Sequence, residues 1–233
     1  MKFKNDTTFQ KDFEKINDIV FYPYVGKQFK HETKRIMVFA HNIYGSPETR
    51  DIQEKKKENP TTFAGAMEAY TYDQRDWTEA FRYFVKGALC LQKNYSKNSD
   101  AETINTVDEF IEKIAFVNFI QDIIISDNPI VKAAPEEINK SIKINQELLK
   151  ILEPTHVICW GEQTEKYLLR MDNYSKVEKD KLGKKGFYYS KLKNKDNGKI
   201  MHVLRISHPG YPQWFHPFSP KTHEIFDWFF DKD

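Results

Sequence analysis

The chain has 233 residues, 39% of them hydrophobic and 15% aromatic, with 18 Phe and 12 Tyr. That is enough apolar material for one buried core, and it excludes a disordered chain. Thirty-six Lys and Arg against thirty-four Asp and Glu leave a net charge of +2, too small to argue for a polyanionic partner from bulk charge, so any nucleic-acid signal must be local.

These numbers fit a single domain over residues 1–233. Cys90 and Cys159 stand far apart in apolar surroundings, which suits buried thiols in a reducing compartment better than a disulfide framework. Two cysteines alone also cannot ligate an iron–sulfur cluster. The start, Met1-Lys2-Phe3-Lys4-Asn5-Asp6, has no apolar run behind its basic residues, and no window reaches the length of a membrane span. The expectation is a cytoplasmic protein with no membrane contact, on which the Asn-x-Ser/Thr matches at Asn94 and Asn173 are chance.

In chain order, the first strand is predicted at residues 36–40, a β-branched and aromatic run ending in polar residues. Residues 47–62 are charged, carry Lys55-Lys56-Lys57 and read as a solvated excursion. A helix follows over roughly 77–91, then a second strand at 114–119. The clearest helix opens at Pro135, with Glu136 and Glu137 where the dipole favours acids, and runs to about Glu153. Its stripe is Ile138, Ile142, Leu149 and Leu152, and Asn145 interrupts it, so one polar position should face the sheet edge.

The third and fourth strands are predicted at 156–160 and 201–206. Between them, residues 176–199 hold nine lysines against three acids, interleaved with Phe187, Tyr188 and Tyr189, and an Asp196-Asn197-Gly198 turn implies a hairpin. Such a stretch is either a soluble surface hairpin or a surface that follows phosphates through Lys191, Lys193 and Lys195. A last helix is capped by Ser219, starts at Pro220 and carries Phe226, Trp228, Phe229 and Phe230 as core. None of the four strands alternates apolar with polar, so both faces should be covered and the strands parallel.

In open parallel sheets, ligands bind beyond the carboxyl ends of the strands. Those ends are polar here: His41-Asn42-Ile43-Tyr44-Gly45, then Asn118, then Gly161-Glu162, then Ser207-His208-Pro209-Gly210. His208, His216 and His223 match no zinc spacing, and no metal is expected.

These stretches resemble the uracil-DNA glycosylase superfamily. The likeness is carried by Val38-Phe39-Ala40-His41-Asn42-Ile43-Tyr44-Gly45, Ala115-Phe116-Val117-Asn118, Val157-Ile158-Cys159-Trp160-Gly161 and Val203-Leu204-Arg205-Ile206-Ser207-His208-Pro209-Gly210, in the superfamily's order and spacing. Tyr22-Pro23-Tyr24-Val25-Gly26 is similar to the approach segment of bacterial members. The likeness runs from about Phe21 to the end, apart from residues 47–105.

The resemblance implies a three-layer α/β/α domain with a central four-stranded parallel sheet. It also implies a monomeric, cofactor-free hydrolase that cleaves the N-glycosidic bond of a flipped uracil or related damaged base in single- or double-stranded DNA. His208 would donate a hydrogen bond to the departing base, and the motif around Asn42 would hold the water. Asn118, with His41 and Gly161, would surround the base, because an amide carries both donor and acceptor. Tyr44 would either reject thymine or form a plain pocket wall. Gly210, Tyr211 and Trp214 lie on the loop that would enter the base stack, unless Trp214 and Phe215 fold back as core.

The sequence also departs from the pattern. Asn42 stands where efficient uracil-specific members carry aspartate, and His41 where glutamine is usual; no proline or second histidine occurs around Ile43 and Gly45. Thymine-mismatch and single-strand-selective members resemble this chain in carrying asparagine there; an amide cannot act as a base but can orient water, which implies a slower or differently directed activity, and a binding protein on the same fold is the alternative. A flavodoxin-like phosphate-ligand enzyme is the weakest option, since no Gly-rich loop follows the first strand.

Overall fold

The computed structural model describes residues 3, 5–45, 61–62, 64–73, 78–92, 95–125, 133–182 and 186–233, and for 43–45, 61–62, 64–66 and 125 the backbone only. The strands, in chain order, are β1 (Phe21–Tyr22), β2 (Tyr24–Val25), β3 (Ile36–Ala40), β4 (Ile43–Gly45), β5 (Thr61–Thr62) and β6 (Ile114–Asn118). They continue with β7 (Ile123–Ile125), β8 (His156–Trp160), β9 (Tyr174–Lys181), β10 (Tyr188–Asn194) and β11 (Ile200–Ile206). The α-helices are α1 (Gln10–Phe13), α2 (Ala64–Tyr72), α3 (Glu79–Ala88), α4 (Ala101–Lys113), α5 (Pro135–Leu152), α6 (Glu162–Leu168), α7 (Pro212–Phe215) and α8 (Pro220–Phe230).

The four predicted runs are neighbours. β6, β3, β8 and β11 lie side by side in that order, each pair parallel. Every residue of β6 and β8 is buried, which is why residues 114–117 and 157–160 read as continuous apolar runs instead of alternating, with polar residues only at Asn118 and His156. The sheet is larger than the four strands expected: seven strands in the order β2-β6-β3-β8-β11-β10-β9, mixed because β2, β10 and β9 pair antiparallel. Two residues of β2 are too short for any periodic signal. In β10, Tyr189, Ser190 and Leu192 are buried between surface lysines, so the segment reads as surface although it pairs along its whole length. The Asp196-Asn197-Gly198 turn joins β10 to β11, with Gly198 at φ +72, a backbone region glycine occupies without strain.

Helices lie against both faces. On one, the Trp160 ring centroid is 5.4 Å from Phe84, 6.2 Å from Phe81 and 5.6 Å from Phe116, and Phe84 is 6.1 Å from Phe226, so α3 and α8 share this layer. Gly87 lets α7 and α8 approach α3, because a Cβ there would lie 2.8 Å from the Phe215 ring and 3.4 Å from that of Phe226. On the other face, Phe119 meets Phe39 at 5.2 Å and Tyr167 of α6 at 5.8 Å. Asn145 of α5 is fully buried, and its amide donates to the carbonyls of Phe119 (2.7 Å) and Ser141 (2.8 Å). The break in the α5 stripe therefore meets a backbone carbonyl just past β6, where an apolar residue would leave it unpaired.

Three expectations change in detail. The helix placed over 77–91 is α3, Glu79–Ala88, and Trp77 lies outside the described residues. Ser219 occupies the cap position of α8, but its side chain makes no cap hydrogen bond. The excursion over 47–62 falls outside the described residues except for Thr61–Thr62, which pairs parallel with β1. α4, absent from the sequence reading, is capped by Asp100, whose carboxylate accepts from the Thr103 N–H at 2.8 Å. Among the described residues, no helix is long and apolar enough to cross a membrane.

Candidate functional site

The register of the parallel strands aligns their carboxyl ends. Ala40 pairs with Asn118, Phe39 with Cys159, and Ile206 with Trp160. His41 and Asn42, Asn118, Gly161 and His208 therefore leave the sheet at one edge. Backbone hydrogen bonds continue beyond the strand ends, from Phe119 N–H to Ala40 O (2.8 Å), Ile120 N–H to His41 O (2.9 Å) and Gly161 N–H to Ile206 O (2.9 Å). They fix the first residue of each terminal loop before any side chain acts.

Buried polar side chains hold these loops. Gln121 accepts from the N–H groups of Val20 (3.3 Å) and Phe21 (3.0 Å), and donates to the Asn118 carbonyl at 3.2 Å. Thr164 donates to the Trp160 carbonyl at 2.9 Å. Gly161 sits at φ +88, and a Cβ built on it meets nothing within 4 Å, so the space above this strand end is open.

His208 is the best defined group. The Gly210 N–H donates to its Nδ1 at 3.1 Å, so the proton of the neutral ring belongs on Nε2. Burial first, and the neighbouring His41 imidazole second, push its pKa down to about 4. At neutral pH His208 is thus an uncharged donor through Nε2. Gly210 fits closely, since a Cβ there would lie 3.1 Å from that Nδ1 and 3.5 Å from the Ala80 Cβ. Trp160 meets the ring edge-on at 5.8 Å and Tyr211 at 5.7 Å.

His41 stacks on Tyr167 at 6.1 Å. Burial lowers its pKa, and a hydrogen bond with the Asn42 side chain opposes that shift. Among the described residues, His41 Nε2 and Asn42 Nδ2 are both covered and without a hydrogen-bond partner, as is Trp160 Nε1.

Asn118 ends β6 and is buried, 4% exposed. The backbone of Tyr44 pairs with Ile124 in a short parallel ladder, β4 with β7, but its side chain lies outside the described residues and so does either role considered for it. The terminal loop divides its aromatics. Tyr211 and Trp214 are 51% and 63% exposed with centroids 5.6 Å apart, whereas Phe215 is fully buried and stacked on Phe187 at 6.1 Å. Phe215 anchors the loop, leaving Tyr211 and Trp214 beside His208 in solvent.

The lysines singled out in the hairpin are not at this edge. Lys191 pairs with His202 and Lys193 with Ile200, toward the amino end of β11, and Lys195 donates to the Asp172 carbonyl at 2.6 Å. The antiparallel run of β10 carries them away from His208. At the site end, Lys179 and Arg205 share the buried Glu165 carboxylate at 3.2 and 3.3 Å, Ser190 donates to it at 3.1 Å, and Arg205 lies over the Tyr188 ring at 3.6 Å. This network ties α6, which follows Gly161, to β9, β10 and β11. Its members are scattered over forty residues, and only strand pairing reveals them.

His223 has both ring nitrogens engaged, Nε2 with the Pro217 carbonyl (2.9 Å) and Nδ1 with Gln92 (3.3 Å), and so acts as a structural residue. Among the described residues, no group of three or more His, Cys, Asp or Glu is placed to hold a metal ion. Compared with known proteins, the chain matches no protein-family model and no curated sequence.

Proposed function

We propose that the chain is a three-layer α/β/α hydrolase of the uracil-DNA glycosylase superfamily, built on the parallel core β6-β3-β8-β11. In this reading it removes uracil or a related damaged base, flipped from DNA, without a cofactor. The observation that carries the reading is the pairing register, which brings His41, Asn42, Asn118, Gly161 and His208 to one sheet edge from four separate strands. Cleaving an N-glycosidic bond leaves negative charge on the base, and His208, neutral with its proton on Nε2, has the donor such a group requires. Asn118 offers an amide to the base edge. Tyr211 and Trp214, exposed beside His208, supply faces on which unpaired bases can stack.

The second reading, a binding protein on the same fold, is favoured by Asn42, whose amide cannot take a proton. Single-turnover cleavage of oligonucleotides carrying uracil, hypoxanthine, xanthine or mismatched thymine separates the two. The hydrolase reading expects an abasic site from at least one of them. Tight DNA binding with no cleavage of any would favour the binding protein.

A further inference from the structure

Alternation along β9 sorts its charges. A strand turns successive side chains to opposite faces, so the mixed run Glu178-Lys179-Asp180-Lys181 is divided into acids on one side of the sheet and lysines on the other. Lys179 pairs with Ser190 and Lys181 with Tyr188, while Glu178 pairs with Lys191 and Asp180 with Tyr189. The first pairs face α6, where Lys179 and Ser190 both reach the Glu165 carboxylate, at 3.2 and 3.1 Å. The second pairs face α8, where the Tyr189 ring meets Trp228 at 5.1 Å.

The α6 face of this hairpin is therefore basic and aromatic, and it adjoins the candidate site. Lys181, Tyr188, Arg205 and Cys159 form one row across β9, β10, β11 and β8. The row lies one residue below Trp160 and Ile206, after which the loops carrying Gly161 and His208 leave the sheet. Cys159, in the middle, is fully buried, but Tyr188 is half-buried and Lys181 exposed. Arg205 lies over the Tyr188 ring at 3.6 Å and holds it in place. On this face three cations, Lys179, Lys181 and Arg205, stand against the one Glu165 carboxylate, and Glu162 is balanced by Lys166 at 2.8 Å, so a net positive charge remains. Lysines on an outer strand also deter edge-to-edge pairing of sheets. That role requires neither the sorting of signs by face nor a tyrosine held by a guanidinium beside the site.

From this arrangement we infer that the α6 face of β9 and β10 is the bed for a single-stranded stretch of nucleic acid leaving the sheet edge, with one base stacked on Tyr188 and phosphates on Lys179 and Lys181. Charge and position select this occupant: a phosphate chain matches the sorted lysines, an unpaired base matches the tyrosine ring, and the bed continues the edge that carries His208. The inference takes its nucleic-acid partner from the glycosylase reading above. It assigns the hairpin's contact to Lys179, Lys181 and Tyr188 instead of Lys191, Lys193 and Lys195.

The test is fluorescence anisotropy of a labelled oligothymidine at a series of salt concentrations, with melting temperatures measured on the same preparations. Wild type should bind, with an affinity that falls as salt rises. Lys181→Gln should reduce the log–log slope by about 0.7, the value for one phosphate contact on a single strand. Tyr188→Leu, which keeps apolar cover beside Arg205, should weaken binding roughly 5- to 150-fold with the slope unchanged. Replacing Lys191, Lys193 and Lys195 together by Gln should change the slope by less than Lys181→Gln does. Wild type that binds no oligothymidine, or folded Lys181→Gln and Tyr188→Leu proteins that bind as wild type does, would overturn the inference. So would a reduced slope in Lys181→Gln with no loss in Tyr188→Leu, the outcome expected of a surface for an acidic protein. Single-turnover cleavage of the four modified oligonucleotides keeps the two readings apart. Binding as expected without cleavage would remove the hydrolase and leave this surface, and cleavage with unaltered binding in both variants would do the reverse.

Discussion

Acid should destabilise this fold through His156. The residue starts β8 at 2% exposure, beneath α8, with its ring 5.1 Å from both His202 and Phe229. Its Nδ1 meets the Thr155 hydroxyl at 2.9 Å, and its Nε2 is buried with no hydrogen-bond partner that meets full geometry among the described residues. Burial, then the neighbouring His202, then Lys34, push its pKa down to about 4, against about 6.5 in an unfolded chain. Because the folded value is the lower one, the unfolded chain binds the proton first. Stability from this residue is complete above about pH 6.5 and declines as the pH falls toward 4. The difference of about 2.5 units corresponds to about 3 kcal/mol, a large part of the 5–15 kcal/mol that typically holds a domain folded. Most carboxylates titrate below this window, so the effect should stand apart from general acid unfolding.

Urea unfolding at half-unit steps from pH 7.5 to 4.5 would measure it. The wild-type midpoint should stay level down to about pH 6.5 and fall from there to pH 4.5, and His156→Gln, less stable at pH 7.5, should show a shallower fall. His208, also at about 4, adds a slope of the same sign that His208→Gln would remove separately. A flat wild-type profile, or an unchanged slope in His156→Gln, would show that these imidazoles are not held neutral by burial.

Other expectations follow from single contacts. Phe84 is fully buried among Phe81, Phe110, Trp160 and Phe226, and Phe84→Ala should cost about 3–5 kcal/mol by calorimetry. Glu165→Ala leaves Arg205 without its buried counter-ion and should cost about 3–5 kcal/mol, read from the same unfolding experiment. On the glycosylase reading, His208→Ala should lower single-turnover cleavage by about 10² to 10³, with DNA affinity nearly unchanged. Full cleavage by the folded variant would return His208 to a structural role.

Local chemistry alone determined much of this protein. Ile36–Ala40 and His156–Trp160 are strands with the bounds their sequences imply, because a strand buried on both faces carries a continuous apolar run instead of an alternating one. The helix α5 is readable from Pro135 and its stripe, and Asn145 announced a polar contact without naming its partner, the Phe119 carbonyl. The polar ends after the four runs marked the candidate edge for the same reason. A polar cluster directly after a buried strand is where the chain leaves the core.

What tertiary structure decided is whatever depends on register between distant segments. Lys191, Lys193 and Lys195 looked equivalent to Lys179 along the chain, but antiparallel pairing sends the first three toward the amino end of β11 and sets Lys179 on Glu165 near the site. Trp214 and Phe215 are adjacent and chemically similar. Which one enters the core depended on the space that Gly87 leaves beside α3, and no local propensity carries that information. The protonation of His208 was equally hidden. It depends on a backbone N–H from Gly210, on burial, and on the imidazole of His41 brought from the other end of the chain, so only the folded arrangement sets which of its nitrogens donates.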